Sequence, residues 1–263
     1  MILTGQLNRL SGFLCLLICT KKALTKSLFC DKIIMYIYVI GLIKMTKGKI
    51  IVLEGLDGCG KSTQLELLSR SLGEKGNARL ISFPNYESST GRVISEYLSG
   101  AIPCEGASGA YAASAFYASD RYASYVTDWK KDFDAGATIV SGRYTTSNAI
   151  YQMTKLPREE WDGFLKWLWD LEYNRLGLPE PDLVIFLDMP VEVSQKLLSG
   201  RYNGDESRKD IHEKNIAFLK ACRESALYTA GKCGWKIIRC SDGETPLPIA
   251  DIALTIKREA EEI

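Results

Sequence analysis

Lys49-Ile50-Ile51-Val52-Leu53-Glu54, followed at once by Gly55-Leu56-Asp57-Gly58-Cys59-Gly60-Lys61-Ser62, joins a short apolar run to the pattern G-x-x-x-x-G-K-[ST] with every fixed position filled. The apolar run reads as a buried strand, and Thr63-Gln64-Leu65-Glu66-Leu67-Leu68 has helical character. Phosphate oxygens need many short-range donors, and glycines let successive backbone N–H groups crowd around them with no Cβ in the way. The helix that follows points the positive end of its dipole at the same anion. The segment therefore predicts a nucleoside triphosphate held by Gly55, Leu56, Asp57, Gly58, Cys59, Gly60, Lys61, Ser62 and Thr63. Lys61 reaches the β- and γ-phosphates, and the Ser62 hydroxyl takes Mg²⁺.

Working outward, short apolar runs alternate with longer helical ones from Lys49 onward, the pattern of a parallel sheet covered by helices. The expected strands are Ile50–Glu54, Arg79–Phe83, Thr138–Ser141, Leu183–Leu187 and Lys236–Arg239. They predict one α/β domain with a five-stranded, doubly wound parallel sheet. Arg158 to Arg175 places Trp161, Phe164, Leu165, Leu168 and Leu171 or Glu172 at three- and four-residue intervals, so an amphipathic helix is expected there. Its aromatic face suits the core and a subunit interface equally. Between a helix starting near Val191 and another running from Ile211 to about Ala230, residues 200–210 carry Arg201, Arg208 and Lys209 with Gly200 and Gly204 as hinges. Such a segment can close over phosphates as a mobile lid, and composition alone fits an ordinary solvated loop as well.

Composition narrows the chemistry. The 263 residues are 46% hydrophobic, and the net charge is +1. That balance provides a substantial core and gives no global field for nucleic acid or a membrane surface. The cysteines form no C-x-x-C and have no neighbouring histidines, so they read as reduced cytosolic thiols, with Cys59 a small filler of its loop. His212 is the only histidine, which weighs against triad hydrolysis and multi-histidine metal sites. Phosphoryl transfer survives, because it depends on positioning, cations and Mg²⁺. No N-K-x-D motif is present, so a GTPase falls behind a small kinase. Residues 1–44 hold two apolar runs, Phe13 to Cys19 and Ile33 to Ile43, each too short for a membrane span. They read as an extension ahead of a natural start at Met45, leaving 45–263 as the kinase domain.

At this point the chain resembles the thymidylate kinases, which transfer the γ-phosphoryl of ATP to dTMP. The resemblance runs from about Lys49 to the C-terminal helix. It rests on Glu54-Gly55-Leu56-Asp57, Phe83-Pro84-Asn85-Tyr86, Phe116-Tyr117-Ala118-Ser119-Asp120-Arg121, Gly142-Arg143-Tyr144-Thr145-Thr146-Ser147-Asn148, and Gly177-Leu178-Pro179-Glu180-Pro181-Asp182-Leu183-Val184 with Leu187-Asp188. The resemblance implies that Tyr117, four residues before Arg121, stacks on the thymine ring and that Arg121 donates to a thymine carbonyl. Asn148 would read the base edge, and Tyr151 would crowd the sugar. Asp57 would contact the acceptor or the metal-bound phosphate, and Tyr86 the acceptor phosphate. Arg143 would bridge donor and acceptor phosphates, with Arg201 and Arg208 as lid arginines. The catalytic set implied is Lys61, Arg143, Arg201, Arg208 and Asp57, with Ser62 and Asp57 toward Mg²⁺. A cytoplasmic homodimer acting on dTMP and ATP, with no nucleic-acid or membrane partner, is the family expectation. Gly142 is a departure, since the family carries an aspartate there; Ser141 or Asp57 would have to supply the oxygen through water. Two other readings stay open: a kinase for another nucleotide or nucleoside, and a nucleotide-binding regulator with little turnover.

Overall fold

Every residue of β1 (Lys49–Gly55) after Lys49 is buried, and β4 (Leu183–Asp188) is buried up to its last residue. A strand covered on both faces has no solvent side, so its sequence runs apolar without alternation. The computed structural model describes residues 47–74, 76–201 and 215–263. The remaining strands are β2 (Ala78–Ile81), β3 (Thr138–Ser141) and β5 (Lys236–Arg239), and the sheet order is β2-β3-β1-β4-β5. All pairings are parallel, with Ile51 opposite Val140 on one side and Leu183 on the other. The helices are α1 (Lys61–Gly73), α2 (Ser89–Leu98), α3 (Gly106–Ser124), α4 (Lys130–Asp134), α5 (Thr145–Tyr151), α6 (Trp161–Trp169), α7 (Val191–Arg201), α8 (Ile216–Cys233) and α9 (Ile249–Glu261).

The pleat of β1 sends alternate residues to two cores. Ile50 and Val52 pack with Trp129, Phe133, Phe186 and Leu219, whereas Ile51 and Leu53 pack with Leu68, Ile185, Ile252 and Ile256. A third cluster holds Trp161, Phe164, Leu165 and Leu168 against Ala149 and Met153. The aromatic face of α6 thus packs into a core, the first of the two uses its sequence allowed. Because β1 lies between β3 and β4, chain segments leave it in opposite directions, and a crevice opens at the carboxyl ends of the strands. The loops that follow β1, β2 and β3 converge there.

The five expected strands all form, and the local differences lie in β2, in the helix expected over Arg158–Arg175 and at Gly200. β2 ends at Ile81 rather than at Phe83, which leaves the ladder and buries its ring near Tyr144, centroids 6.1 Å apart. The expected helix Arg158–Arg175 is three consecutive pieces: a single 3₁₀ turn at Arg158–Glu160, α6, and a wider turn at Asp170–Arg175. In that wider turn the Leu176 N–H donates to the Leu171 carbonyl five residues back, at 2.9 Å. Gly200 lies within α7 rather than in a loop, and α7 ends at Arg201. Arg208, Lys209, Gly204, His212 and residues 1–44 lie outside the described residues, as does the N-terminal part of the helix expected from Ile211. Among the described residues no helix is long and apolar enough to cross a membrane.

Candidate active site

The loop after β1 is built around backbone that only glycine tolerates. Gly58 has φ +80°, and a Cβ there would stand 2.7 Å from the Ser194 carbonyl oxygen and 2.8 Å from Leu198 Cγ, both on α7. The turn and the seat of α7 against the loop both require its missing side chain. Gly60, at φ +84°, then starts α1. Cys59 is buried under the loop, where a Cβ on Gly55 would come within 2.6 Å of its sulfur. Burial pushes the Cys59 thiol above its ordinary range against the pull of Lys61, so it fills space and is not an activated thiolate. Lys61 Nζ donates to the Gly55 carbonyl at 2.6 Å. Burial, reinforced by the nearby Arg143 cation, holds its pKa below the usual lysine value.

Beside this loop lies a cavity of about 230 Å³. Tyr117 and Arg121 reach it from one face of α3, as their four-residue spacing allows, and Asn148 and Tyr151 reach it from α5. Asp57, Tyr86 and Arg143 enter from the loops after β1, β2 and β3. Every residue expected to touch the acceptor therefore lines one cavity. Arg143 Nη2 meets Asp57 Oδ1 at 3.0 Å, and its guanidinium lies 5.0 Å from the centre of the Tyr151 ring. These contacts hold a planar cation at the junction of the phosphate loop and the cavity. Tyr117 sits edge-on to Tyr97 with centroids 6.3 Å apart. Lys155 closes the far end, donating Nζ to the Tyr97 hydroxyl at 3.0 Å and the Cys104 carbonyl at 2.9 Å.

Behind these residues are carboxylates whose roles the motifs did not reveal. Asp120, next to Arg121 on α3, accepts from the Asn85 backbone at 2.9 Å, the Ser88 hydroxyl at 3.0 Å and the Thr90 hydroxyl at 2.8 Å. It thereby pins the turn that carries Tyr86. Glu54 accepts from Thr146 at 2.6 Å and Ser147 at 2.7 Å, tying β1 to α5. Glu172 is fully buried and pairs with Arg121 through two bonds, one from Nε at 2.7 Å and a shorter one from Nη2. A signal for Glu172 existed: it continues the apolar stripe Phe164, Leu168 at helical spacing, and a carboxylate on such a stripe needs a buried partner.

Ser141 carries one of the two oxygens expected to stand in for the missing aspartate. Its hydroxyl is buried and donates to the Arg143 carbonyl at 2.6 Å, so it shapes the loop. At Gly142 a Cβ would fall 2.2 Å from Leu65 Cδ1; the leucine of α1 fills the space where a side chain would stand.

A central phosphate loop at the switch point of a parallel sheet, with a largely aromatic cavity beside it into which Asp57, Arg121, Arg143 and Asn148 converge, defines a P-loop phosphotransferase. The family described as Thymidylate kinase matches residues 53–245, and the chain belongs to the thymidylate kinase family. It is 31% identical to the probable thymidylate kinase of Thermococcus gammatolerans over 189 residues, covering 70% of this chain and 83% of that one. It is 30% identical to the thymidylate kinase of Mycobacterium tuberculosis over 184 residues, covering 68% and 83%. The solved structure of the Candida albicans thymidylate kinase superposes with a TM-score of 0.60 at 22% identity, over 82% of this chain and 92% of that one. The structural likeness supports the shared fold.

Proposed function

We propose that this ATP-dependent dTMP kinase carries out its reaction, ATP + dTMP to ADP + dTDP, with the loop Gly55–Thr63 holding the donor and the neighbouring cavity holding the acceptor. The observation that carries this division of labour is the convergence of Tyr117, Arg121, Asn148, Tyr151, Arg143 and Asp57 on one cavity beside Lys61.

The dTMP phosphate is already anionic at neutral pH, so its oxygen attacks the γ-phosphorus without a base. The new P–O bond forms as the bond from Pγ to the β,γ-bridging oxygen breaks, and ADP leaves. Catalysis then rests on in-line alignment and on cations for the charge that spreads over the transferring group. Lys61 serves the donor phosphates. Arg143, held by Asp57 and Tyr151, reaches oxygens of both substrates at once. Tyr117 supplies a face for the base, Tyr151 limits room at the sugar, and Tyr86 meets the acceptor phosphate from its Asp120-anchored turn. Ser62, exposed in the first turn of α1, and Asp57 form a sparse oxygen set suited to Mg²⁺, which keeps most of its waters. Mg²⁺ supplies charge neutralisation on the donor phosphates. Arg201 and Arg208 complete the reading as lid cations. The homodimeric state and cytoplasmic location follow the family expectation, and analytical ultracentrifugation and fractionation of source cells test them.

The decisive experiment is ADP release by the full chain with ATP and Mg²⁺, offering dTMP, dUMP, dCMP, UMP, AMP and thymidine separately. Strong preference for dTMP, lost in Arg121→Ala and Tyr117→Ala, supports the reading. Activity confined to another acceptor overturns the cavity assignment. Nucleotide binding with silence on every acceptor turns the reading toward a regulator, for which the Gly142 departure is the specific support.

A further inference from the structure

Glu172 lies outside every motif that carries the family resemblance, yet it touches both residues assigned to the base's edge, Arg121 and Asn148. Its carboxylate is fully buried, and the Arg121 side chain is 2% exposed. The two-bond pair uses Arg121 Nε and Nη2, so Nη1 is the nitrogen left to face the cavity that Arg121 lines. Asn148 Nδ2 donates to Glu172 Oε1 at 3.3 Å and to the Ser114 carbonyl at 3.3 Å. An asparagine amide is ambiguous by itself, offering a donor on one side and an acceptor on the other. A carboxylate accepts only, so an ionised Glu172 draws the NH₂ toward itself and leaves Oδ1 toward the cavity. The Ser114 carbonyl enforces the same orientation. The wide turn Asp170–Arg175 makes this possible, since its five-residue step brings Glu172 under α3 and α5 together.

We propose that Glu172 is a specificity-determining positioning residue, which fixes a guanidinium donor and an amide acceptor side by side in the cavity and so selects a pyrimidine with a 4-carbonyl and a protonated N3 over one with a 4-amino group. The inference rests on the base-reading roles proposed above for Arg121 and Asn148. Thymine and uracil offer an acceptor at O4 and a donor at N3, which match this pair. Cytosine offers a donor at N4 and an acceptor at N3, which opposes it at both positions. Mispaired buried polar groups are rejected far more strongly than a change of size.

The test is steady-state kinetics of Glu172→Gln with dTMP and dCMP, alongside thermal unfolding and the KM for ATP. Glutamine keeps the shape but brings its own NH₂ against Asn148, so the amide loses its enforced orientation. We expect kcat/KM for dTMP to fall by about tenfold or more, mainly through KM, and the dTMP-to-dCMP ratio to contract by a similar factor, with the ATP KM unchanged. Glu172→Asp, which retains the charge at shorter reach, should contract the ratio less. It carries the test alone if Glu172→Gln fails to fold. In an Asn148→Ala background the Glu172 substitutions should contract the ratio by less than they do alone, because Glu172 acts partly through that amide. A folded Glu172→Gln, or failing it a folded Glu172→Asp, with an unchanged ratio overturns the inference. If Arg121→Ala and Asn148→Ala also leave the ratio unchanged, the base-reading assignment itself is wrong. If they collapse it while the Glu172 variants do not, only the positioning role falls.

Discussion

The phosphate loop and the acceptor cavity adjoin each other but are made in opposite ways. The loop is one contiguous run, Gly55–Thr63, with two left-handed glycines, and in the proposed reading its work is done by backbone N–H groups and one lysine. The cavity is assembled from α3, α5 and the loops after three strands, and in the same reading its work falls to side chains held by other side chains. Phosphate is spherical in its demands, and any chain that curls its amides inward can satisfy it. A base edge is directional, so it needs donors and acceptors fixed relative to each other, which takes several elements and buried carboxylates behind them. The loop should therefore fail through loss of charge with the fold intact, and the cavity should fail through loss of organisation.

The largest effect expected is in the loop. Lys61→Met should lower kcat by about 10³-fold or more, as for loss of a principal electrostatic contact in phosphoryl transfer. Its effect on stability should have the other sign. Because the folded-state pKa of Lys61 lies below its ordinary value of 10.5, the protonated lysine weakens the fold. That penalty is released as pH rises through the folded pKa toward the unfolded one. The unliganded variant should thus melt no lower than the parent at neutral pH; a clear drop in its melting temperature would show the lysine to be structural and erase the contrast.

Arg121→Met attacks the cavity. Leaving Glu172 buried without its cation, with only the Asn148 amide still donating to it, should cost about 3–5 kcal/mol in urea unfolding. Adding Glu172→Leu should recover much of that stability without recovering dTMP preference. If preference returned with stability, organisation and recognition would not be separate properties here.

Gly142→Asp probes the border between the two regions. Its Cβ meets Leu65, and overpacking should destabilise by about 1–3 kcal/mol, less if Leu65 swings away. Leu65→Ser combined with Gly142→Asp should restore the melting temperature and shift the Mg²⁺ concentration needed for half-maximal rate. An unchanged Mg²⁺ dependence in the stable double variant would make the position irrelevant to the metal.

The smallest effect is expected at Cys59. Maleimide treatment of the native protein at neutral pH should modify exposed Cys233 while leaving buried Cys59 unlabelled, as read by peptide mass spectrometry. Rapid labelling of Cys59 would mean that the loop opens in solution.

The sheet was legible because a strand buried on both faces must be apolar throughout, as Ile50–Leu53 and Leu183–Leu187 are. The loop was legible because positive φ at Gly58 and Gly60 is a local demand of the chain. The cavity's front row was legible only through family motifs: nothing in the spacing of Tyr117 and Arg121 says that the arginine is buried rather than solvated. The sequence likewise left open whether the aromatic face of Trp161–Leu168 served a core or an interface, and Ala149 and Met153 decided for the core.

By itself, then, the sequence determined the strands, the phosphate loop and the class of chemistry, because each is written in short contiguous runs of the chain. Tertiary structure decided what stands behind the acceptor site. Asp120 pins the Tyr86 turn, Leu65 occupies the space beside Gly142, and Glu172 reaches Arg121 from 51 residues away. Buried charges choose their partners by desolvation and geometry, which act across space rather than along the chain.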